Sequence, residues 1–273
     1  LGDRYESFAA AVAAHLSNIK VVHLHGGEKT LGSMDNKLRN AISQLSTYHF
    51  TSAEIHKINV QNIIGSSENV YNTGPLVLDG LLNFKKFSKK EFEIKTKFVF
   101  SRINLLITFH PETLAKDFGV SALDKLLNIL DAYDCNILFT APNSDNGSKL
   151  IIDIIKKNIK KNKQNYFYIP SLGQELFLNA LNLFDCILGN SSSGIIEAPF
   201  FKKTVLNIGD RQKGRYRFGP VIDVKNDHYA IHEAVKKIFN SITNKKDENF
   251  NFSKIYKNSS PSTRIIDILK NNY

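Results

Sequence analysis

From residue 104 to residue 208, strand-like and helix-like stretches alternate without a break, and that alternation leaves few folds open. Short apolar runs at Asn104–Phe109, Asn136–Phe139, Tyr166–Ile169, Phe184–Leu188 and Thr204–Ile208 read as strands. Val120–Tyr133, Gly147–Lys161 and Gln174–Leu183 between them have helical spacing. Strands spaced by helices cannot pair as hairpins. They predict an α/β fold, a parallel sheet with helices on both faces and ligands beyond the strands' carboxyl ends. Polar residues gather at those ends: His110-Pro111-Glu112-Thr113, Pro142-Asn143-Ser144-Asp145, Pro170-Ser171-Leu172-Gly173 and Gly209-Asp210-Arg211. Each alone is ordinary loop composition. Four in succession predict one crevice.

The stretch Gly189-Asn190-Ser191-Ser192-Ser193-Gly194-Ile195-Ile196-Glu197-Ala198-Pro199 lies in the middle of that series. It follows a buried strand and opens into a helix expected to run through Phe200. The free N–H groups and positive dipole end of a helix's first turn bind anions, and Ser192, Ser193 and Gly194 let a phosphate approach closely. Glu197, one turn in, would repel a phosphate but can accept two hydrogen bonds from a ribose diol. Together these point to a nucleotide diphosphate site. The same residues also suit an ordinary serine N-cap on a structural helix, and a lone Ser-Ser-Gly does not separate the two.

The first half carries a second cluster. Ser7–Leu16 is alanine-rich and helical in character, and it follows Leu1-Gly2-Asp3-Arg4 directly. An acidic residue on a Gly turn before a helix usually ends a strand, so a strand is expected ahead of residue 1. The strand Ile19–Leu24 leads into His25-Gly26-Gly27-Glu28-Lys29-Thr30, where two glycines allow a sharp turn and present His23, His25 and Glu28 at the strand's end. Asp35 and Arg39 are spaced i, i+4 around the helix expected at Asn36–Leu45, so they can share a face. A surface ion pair of small energetic value would look the same. Tyr48–Thr51 reads as a strand, with a helix after it, and Asn69–Pro75 as a short strand ending in a Gly-Pro break. From Leu81 to Phe100 the chain turns basic and aromatic with no clear period, and the domain boundary is placed there.

Composition excludes some classes. With 273 residues, 42% of them apolar, the chain can bury a large core, and disorder is not expected. No apolar run approaches the ~20 residues of a membrane span, and the N-terminus lacks a secretory design, so a cytoplasmic location with no membrane partner is the default expectation. Cys135 and Cys186 lie in apolar runs and read as buried hydrophobes, not as a disulfide or zinc site. The net charge of +10 invites a nucleic-acid reading. The lysines, however, are scattered over segment ends as pairs such as Lys156-Lys157, Lys202-Lys203 and Lys245-Lys246, with no single basic face, so no nucleic-acid partner is expected.

His-Gly-Gly-Glu-Lys-Thr at residues 25–30, Asp35 with Arg39, Thr51-Ser52, Phe109-His110-Pro111 and Gly-Asn-Ser-Ser-Ser-Gly-Ile-Ile-Glu at residues 189–197 resemble, in order, the UDP-N-acetylglucosamine 2-epimerases. The match is nearer to the hydrolysing branch of the sialic-acid and legionaminic-acid pathways, and it runs from Leu1 to about Val224. The resemblance implies a GT-B-like architecture of two Rossmann-like domains with the sugar nucleotide in their cleft, the first domain incomplete here. The expected division is residues 1–82 for the remainder of that domain, 83–255 for the nucleotide-binding domain, and 256–273 for a C-terminal helix, Thr263–Leu269, packing back.

The resemblance also implies roles. Asp3, His25, Glu28, Asp35 and His110 are the expected catalytic groups. Arg4, Asn143, Ser192, Ser193, Gly194, Glu197 and Arg211 are expected to bind the nucleotide, and His23 and Arg39 to position the substrate. Many relatives have a glutamate where this chain has His25, and Glu28 is a candidate to take over that carboxylate's role. Family chemistry removes the proton at sugar C2 and expels UDP, and water then adds to release N-acetylmannosamine. No metal and no cofactor is expected, and a homo-oligomer is. The alternatives are the same reaction on a UDP- or GDP-linked 2,4-diacetamido-2,4,6-trideoxyglucose, a GT-B glycosyltransferase, and a non-catalytic nucleotide-sugar binder.

Overall fold

The computed structural model describes residues 1–30, 35–219, 221–243 and 260–272. Lys245, Lys246 and the expected boundary after residue 255 lie outside them. The chain divides into two compact units, one of residues 1–83, 214–216 and 251–273, the other of residues 84–213 and 217–250.

The first unit begins with α1 (Tyr5–Leu16), followed by β1 (Val22–Leu24), α2 (Asp35–Gln44), β2 (Tyr48–Thr51), α3 (Glu54–Ile64), β3 (Val70–Asn72) and α4 (Val77–Asn83). Its three strands are parallel in the order β1-β2-β3, with Leu24 beside Phe50 and Phe50 beside Tyr71. β1 starts at Val22, later than the expected Ile19, because the end of α1 uses the intervening residues. Asn18 takes a left-handed conformation, φ 57°, and Ile19 N–H closes back onto the Ala14 carbonyl. Below the sheet, Tyr48, Phe50 and Ile265 form a small apolar core with Val22, Leu24, Tyr71, Ile268 and Leu269 around it.

In the second unit α5 (Lys89–Thr96) precedes β4 (Asn104–Thr108), α6 (Val120–Leu130), β5 (Asn136–Thr140), α7 (Ser148–Lys161), β6 (Tyr166–Ile169) and α8 (Gly173–Leu183). The chain continues through β7 (Cys186–Gly189), α9 (Ser192–Ile196), β8 (Thr204–Ile208), β9 (Ile222–Val224) and α10 (His228–Thr243). The last helix of the chain, α11 (Pro261–Asn271), belongs to the first unit, where Arg264 donates to the Thr73 and Asn72 carbonyls. The second sheet is all parallel, in the order β6-β5-β4-β7-β8-β9. β4 and β5 are buried along their whole length, which is why they read as unbroken apolar runs and show no alternation. The winding runs outward from β4 to β6, then returns to lay β7 on the other side of β4. The carboxyl ends of β4 and β7 therefore flank the switch point where ligands enter such sheets.

Two expectations are corrected. The helix expected through Phe200 stops at Ile196, and a 3-10 turn, Ala198–Phe201, follows. Pro199 has no N–H to give to the turn before it. The aperiodic stretch before Phe100 holds α5, which opens on a capping box: Ser88 accepts the Glu91 N–H, and Glu91 accepts from Ser88 N–H. Behind it Phe92, Phe98 and Phe100 pack on Phe184, with Phe98 to Phe184 centroids at 4.8 Å. Among the described residues no helix is long and apolar enough to cross a membrane.

Candidate active site

In the second unit the site grows from the switch point. Gly189 ends β7 at φ 132°, and a Cβ there would lie 2.1 Å from the Thr108 carbonyl oxygen of β4. Only glycine lets the two strand ends close this tightly. Just beyond the two strand ends, Asn190 and the loop of His110 lock together. Asn190 Oδ1 accepts the His110 backbone N–H at 2.7 Å, and Asn190 Nδ2 donates to the His110 carbonyl at 2.8 Å. The Asn190 carbonyl in turn accepts from Arg211 Nη1 at 3.1 Å and Gln212 Nε2 at 2.8 Å.

The His110 ring has a fixed tautomer. The Asn143 backbone N–H donates to His110 Nδ1 at 3.0 Å, so in the neutral ring the proton sits on Nε2. Burial, helped by the Arg211 charge, holds the imidazole down at about 4. At neutral pH it is an uncharged Nε2–H donor beside a permanent cation, a combination that suits a growing negative charge.

The serine turn divides its work. Ser191 is the N-cap of α9, its Oγ accepting the Ser193 N–H at 3.3 Å, so the ordinary capping role belongs to this residue. Ser192 and Ser193 are the first helical residues and are half-buried, Gly194 is buried against Val205, and Glu197 closes the helix half-buried. Thus His110, Asn143 and Arg211 share one hydrogen-bonded frame with Asn190 at its centre, and the Ser192–Gly194 turn follows Asn190 closely in the chain. Sequence reasoning missed Asn190 and Gln212. It also missed Glu112, whose carboxyl covers Gly209 and is pushed up by burial and by Asp210.

In the first unit the frame is built on Glu28. His25 Nδ1–H donates to Glu28 Oε1 at 3.0 Å, and Ser52 Oγ–H donates to the same oxygen at 2.8 Å. Glu28 Oε2 lies 3.7 Å from the Arg215 guanidinium. Burial alone would raise this carboxyl; the His25 and Ser52 hydrogen bonds and the Arg215 charge outweigh it and hold Glu28 below the ordinary carboxylate range. His25 has a left-handed backbone, φ 66°, and its Nε2 accepts the Leu76 N–H at 3.2 Å. Both ring nitrogens are therefore engaged, and the ring orients Glu28. A cavity of about 410 Å³ opens beside Glu28, with Asn36, Asn40, Asn59 and Asn62 on its wall.

Asp3 joins this frame through Arg39, a side chain only 1% exposed. Arg39 Nε donates to Asp3 at 2.9 Å, Nη2 pairs with the same carboxylate, and Nη1 donates to the Glu28 carbonyl at 2.7 Å and to Asn36 Oδ1 at 2.8 Å. The guanidinium thus points to Asp3 and the Glu28 backbone, away from an i, i+4 pairing with Asp35. Asp35 is the first residue of α2 and half-buried. Arg4 is the exposed N-cap residue of α1. His23 is 2% exposed, 3.1 Å from Ser43 Oγ, and lowered to about 3 by burial and by His49; it is an interior histidine. His56 and Arg215 are partners of the Glu28 frame that sequence reasoning did not find. No group of three or more His, Cys, Asp or Glu that could hold a metal occurs among the described residues.

Comparison with known proteins gives a consistent picture. Polysialic acid biosynthesis protein P7 of Escherichia coli is 37% identical over 237 residues, 86% of this chain and 60% of that protein. The GDP/UDP-N,N'-diacetylbacillosamine 2-epimerase (hydrolyzing) of Campylobacter jejuni is 37% identical over 240 residues, 87% of this chain and 62% of that protein. This chain therefore spans a little over 60% of the length of those relatives. The fold is also that of the UDP-GlcNAc 2-epimerase of Neisseria meningitidis in its UDP-GlcNAc-bound crystal structure: TM-score 0.79 at 23% identity, over 98% of this chain and 75% of that one. The family model for UDP-N-acetylglucosamine 2-epimerase matches residues 1–270, and the chain belongs to that family.

Proposed function

We propose that this chain works in a hydrolysing 2-epimerase of nucleotide-linked 2-acetamido sugars, with UDP-N-acetylglucosamine as substrate. A base takes the proton from sugar C2, the C2–H electron pair becomes the C1=C2 double bond, and the C1–O bond breaks with UDP leaving as an anion. Water then adds across that double bond, hydroxyl to C1 and proton to C2 from the opposite face, and N-acetylmannosamine is released. The observation that carries the reading is the Asn190 frame. It holds a neutral Nε2–H imidazole and an arginine at the switch point of a parallel sheet, next in the chain to a serine-glycine turn, groups suited to receiving a departing pyrophosphate. Glu28, ionised and fixed in orientation by two donors, is the carboxylate we assign to the proton at C2, and its contribution is position, since its surroundings make it a weak base. Asp3, anchored by Arg39, is the second acid of that frame.

The test is to incubate the full-length protein with UDP-N-acetylglucosamine and follow UDP and free sugar together. Release of UDP with N-acetylmannosamine, carrying solvent deuterium at C2, is the expected outcome. UDP release with no 2-epimerised sugar would refute the reading. A second reading, the same reaction on a nucleotide-linked 2,4-diacetamido-2,4,6-trideoxyglucose, is favoured by the name of the Campylobacter jejuni relative. Turnover of the two substrates side by side decides between them.

A further inference from the structure

Behind Glu28 the hydrogen bonds continue inward to a residue with no place in the chemistry so far. Ser52 Oγ lies 2.8 Å from Glu28 Oε1 on one side and 2.8 Å from His56 Nδ1 on the other. A serine hydroxyl has one proton, and an ionised carboxylate only accepts. The Ser52 proton therefore goes to Glu28, and the proton between Ser52 and the imidazole belongs to His56 Nδ1. His56 is 3% exposed and Ser52 1%, so water does not substitute for either donor.

The helix carrying His56 is fastened to the turn carrying Glu28. Asn59 Nδ2 donates to the Gly27 carbonyl at 2.8 Å, and a Cβ on Gly27 would lie 2.2 Å from the His56 carbonyl oxygen. Groups facing the His56 ring are Glu28, His25, Arg215 and Arg39, with the Tyr216 ring edge-on at 5.8 Å. Burial dominates these surroundings and keeps the ring uncharged down to about 4, so Nδ1 remains a neutral donor over the working pH range.

We infer that His56 is a positioning residue for Glu28: through Ser52 it keeps Oε1 fully occupied and leaves Oε2, beside Arg215, as the oxygen that exchanges protons with the substrate. The inference rests on the proposed role of Glu28 in 2-epimerisation. Replacing the Nδ1 donor frees Ser52 to rotate away, and the Glu28 carboxylate loses a bond that fixes its orientation, so Oε2 is no longer held toward the substrate.

The test uses the full-length protein in two variants of similar size. His56→Leu fills the volume without a donor, and His56→Asn returns an N–H near the Nδ1 position. His56→Leu is expected to lower kcat about 10-fold or more with KM within about twofold. It is also expected to shift the 13C signal of the labelled Glu28 carboxyl at pH 7, where the group stays ionised and the signal reports its hydrogen bonds. His56→Asn is expected to restore both. Should His56→Leu fail to fold, His56→Ala is read in the same way, with the same expected shift of the Glu28 signal. Equal behaviour of the Leu and Asn variants, or an unmoved Glu28 carboxyl signal in the Leu variant or its His56→Ala substitute, overturns the inference. If the wild-type protein turns over no nucleotide sugar, the functional reading fails on that result, while the Glu28 carboxyl signal at pH 7 still reports whether the chain of donors fixes that carboxylate.

Discussion

Asn190 and His110 satisfy each other's polar groups twice over: the side-chain amide of one takes the backbone N–H of the other at 2.7 Å and gives a proton to its carbonyl at 2.8 Å. Asn190 is 1% exposed, so its amide has no water to replace these two partners. Asn190→Ala is expected to cost about 2–4 kcal/mol of stability, two unmade buried hydrogen bonds at roughly 1–3 kcal/mol each, partly relieved by relaxation. Asn190→Asp should be no better, because a carboxylate cannot donate to the His110 carbonyl. Urea unfolding of the three proteins checks this; a loss under 1 kcal/mol in the alanine variant would show that the lock carries little.

Gly189→Ala adds a methyl group where β4 and β7 nearly touch. Its Cβ would sit 2.1 Å from the Thr108 oxygen, and the backbone φ of 132° is one that L residues rarely adopt. The strands must separate, which should cost about 3 kcal/mol or more. It should also displace Asn190, so nucleotide affinity falls in whatever fraction still folds. Thermal unfolding with UDP titration checks both, and a wild-type midpoint would contradict the backbone contact.

Acid should weaken the protein before its carboxylates titrate. An unfolded histidine protonates near 6.5, whereas burial holds His56 at about 4. Between those values the unfolded chain binds more protons than the folded one, so stability falls as pH drops from 6.5 to 4 and this contribution levels off below. For His56 alone the loss is on the order of 2–3 kcal/mol. His56→Asn should flatten that part of the curve, measured by denaturant midpoints at pH 7, 6, 5 and 4. A slope identical to wild type would show that His56 titrates normally.

The parallel strands of the second unit were legible because they are buried on both faces, and a residue such as Leu106 cannot be polar there. The aromatic stretch ending at Phe100 was not: its period is hidden by phenylalanines that pack on Phe184, more than eighty positions away, although Ser88 and Glu91 announced the start of α5 locally. The later stretch holding β9 and α10 went unread as well. At the site, motif residues such as His110 and Ser193 stood out by type and place. Asn190 did not, since an asparagine before a serine turn is common and its two bonds to a residue eighty positions earlier exist only after β4 and β7 pair. Arg39 was seen and its partner was not, because a helical spacing rule proposes Asp35 and cannot propose Asp3.

That partner makes Arg39 a test of how the Glu28 turn is held. Three groups depend on it: the Asp3 carboxylate, the Glu28 carbonyl and the Asn36 amide oxygen. Arg39→Met keeps much of the volume and leaves Asp3, whose side chain is 31% exposed, without its buried cation, at an expected cost of about 2–3 kcal/mol once water returns to the carboxylate. Arg39→Lys keeps the charge but cannot fork to three acceptors, so about half that cost is expected. A double variant with Asp3→Asn should recover part of the loss in the methionine background, since the stranded charge is gone. Strict additivity of the two losses would mean the pair is not coupled.

Glu197 closes α9 from the far side of the serine turn, and its half-buried carboxylate is placed to accept from a ribose diol if UDP lies over Ser192 and Ser193 as proposed. Glu197→Ala should then weaken UDP binding by about 1–3 kcal/mol, roughly 5- to 150-fold. Glu197→Gln, which keeps an acceptor but also brings a donor, should fall between the two. Binding of free inorganic pyrophosphate, which has no ribose, should change little in either variant, and this control separates a ribose contact from a general collapse of the turn. Calorimetry with UDP and with pyrophosphate makes the comparison; equal losses for both ligands would assign Glu197 to the structure of the turn and remove it from the ribose.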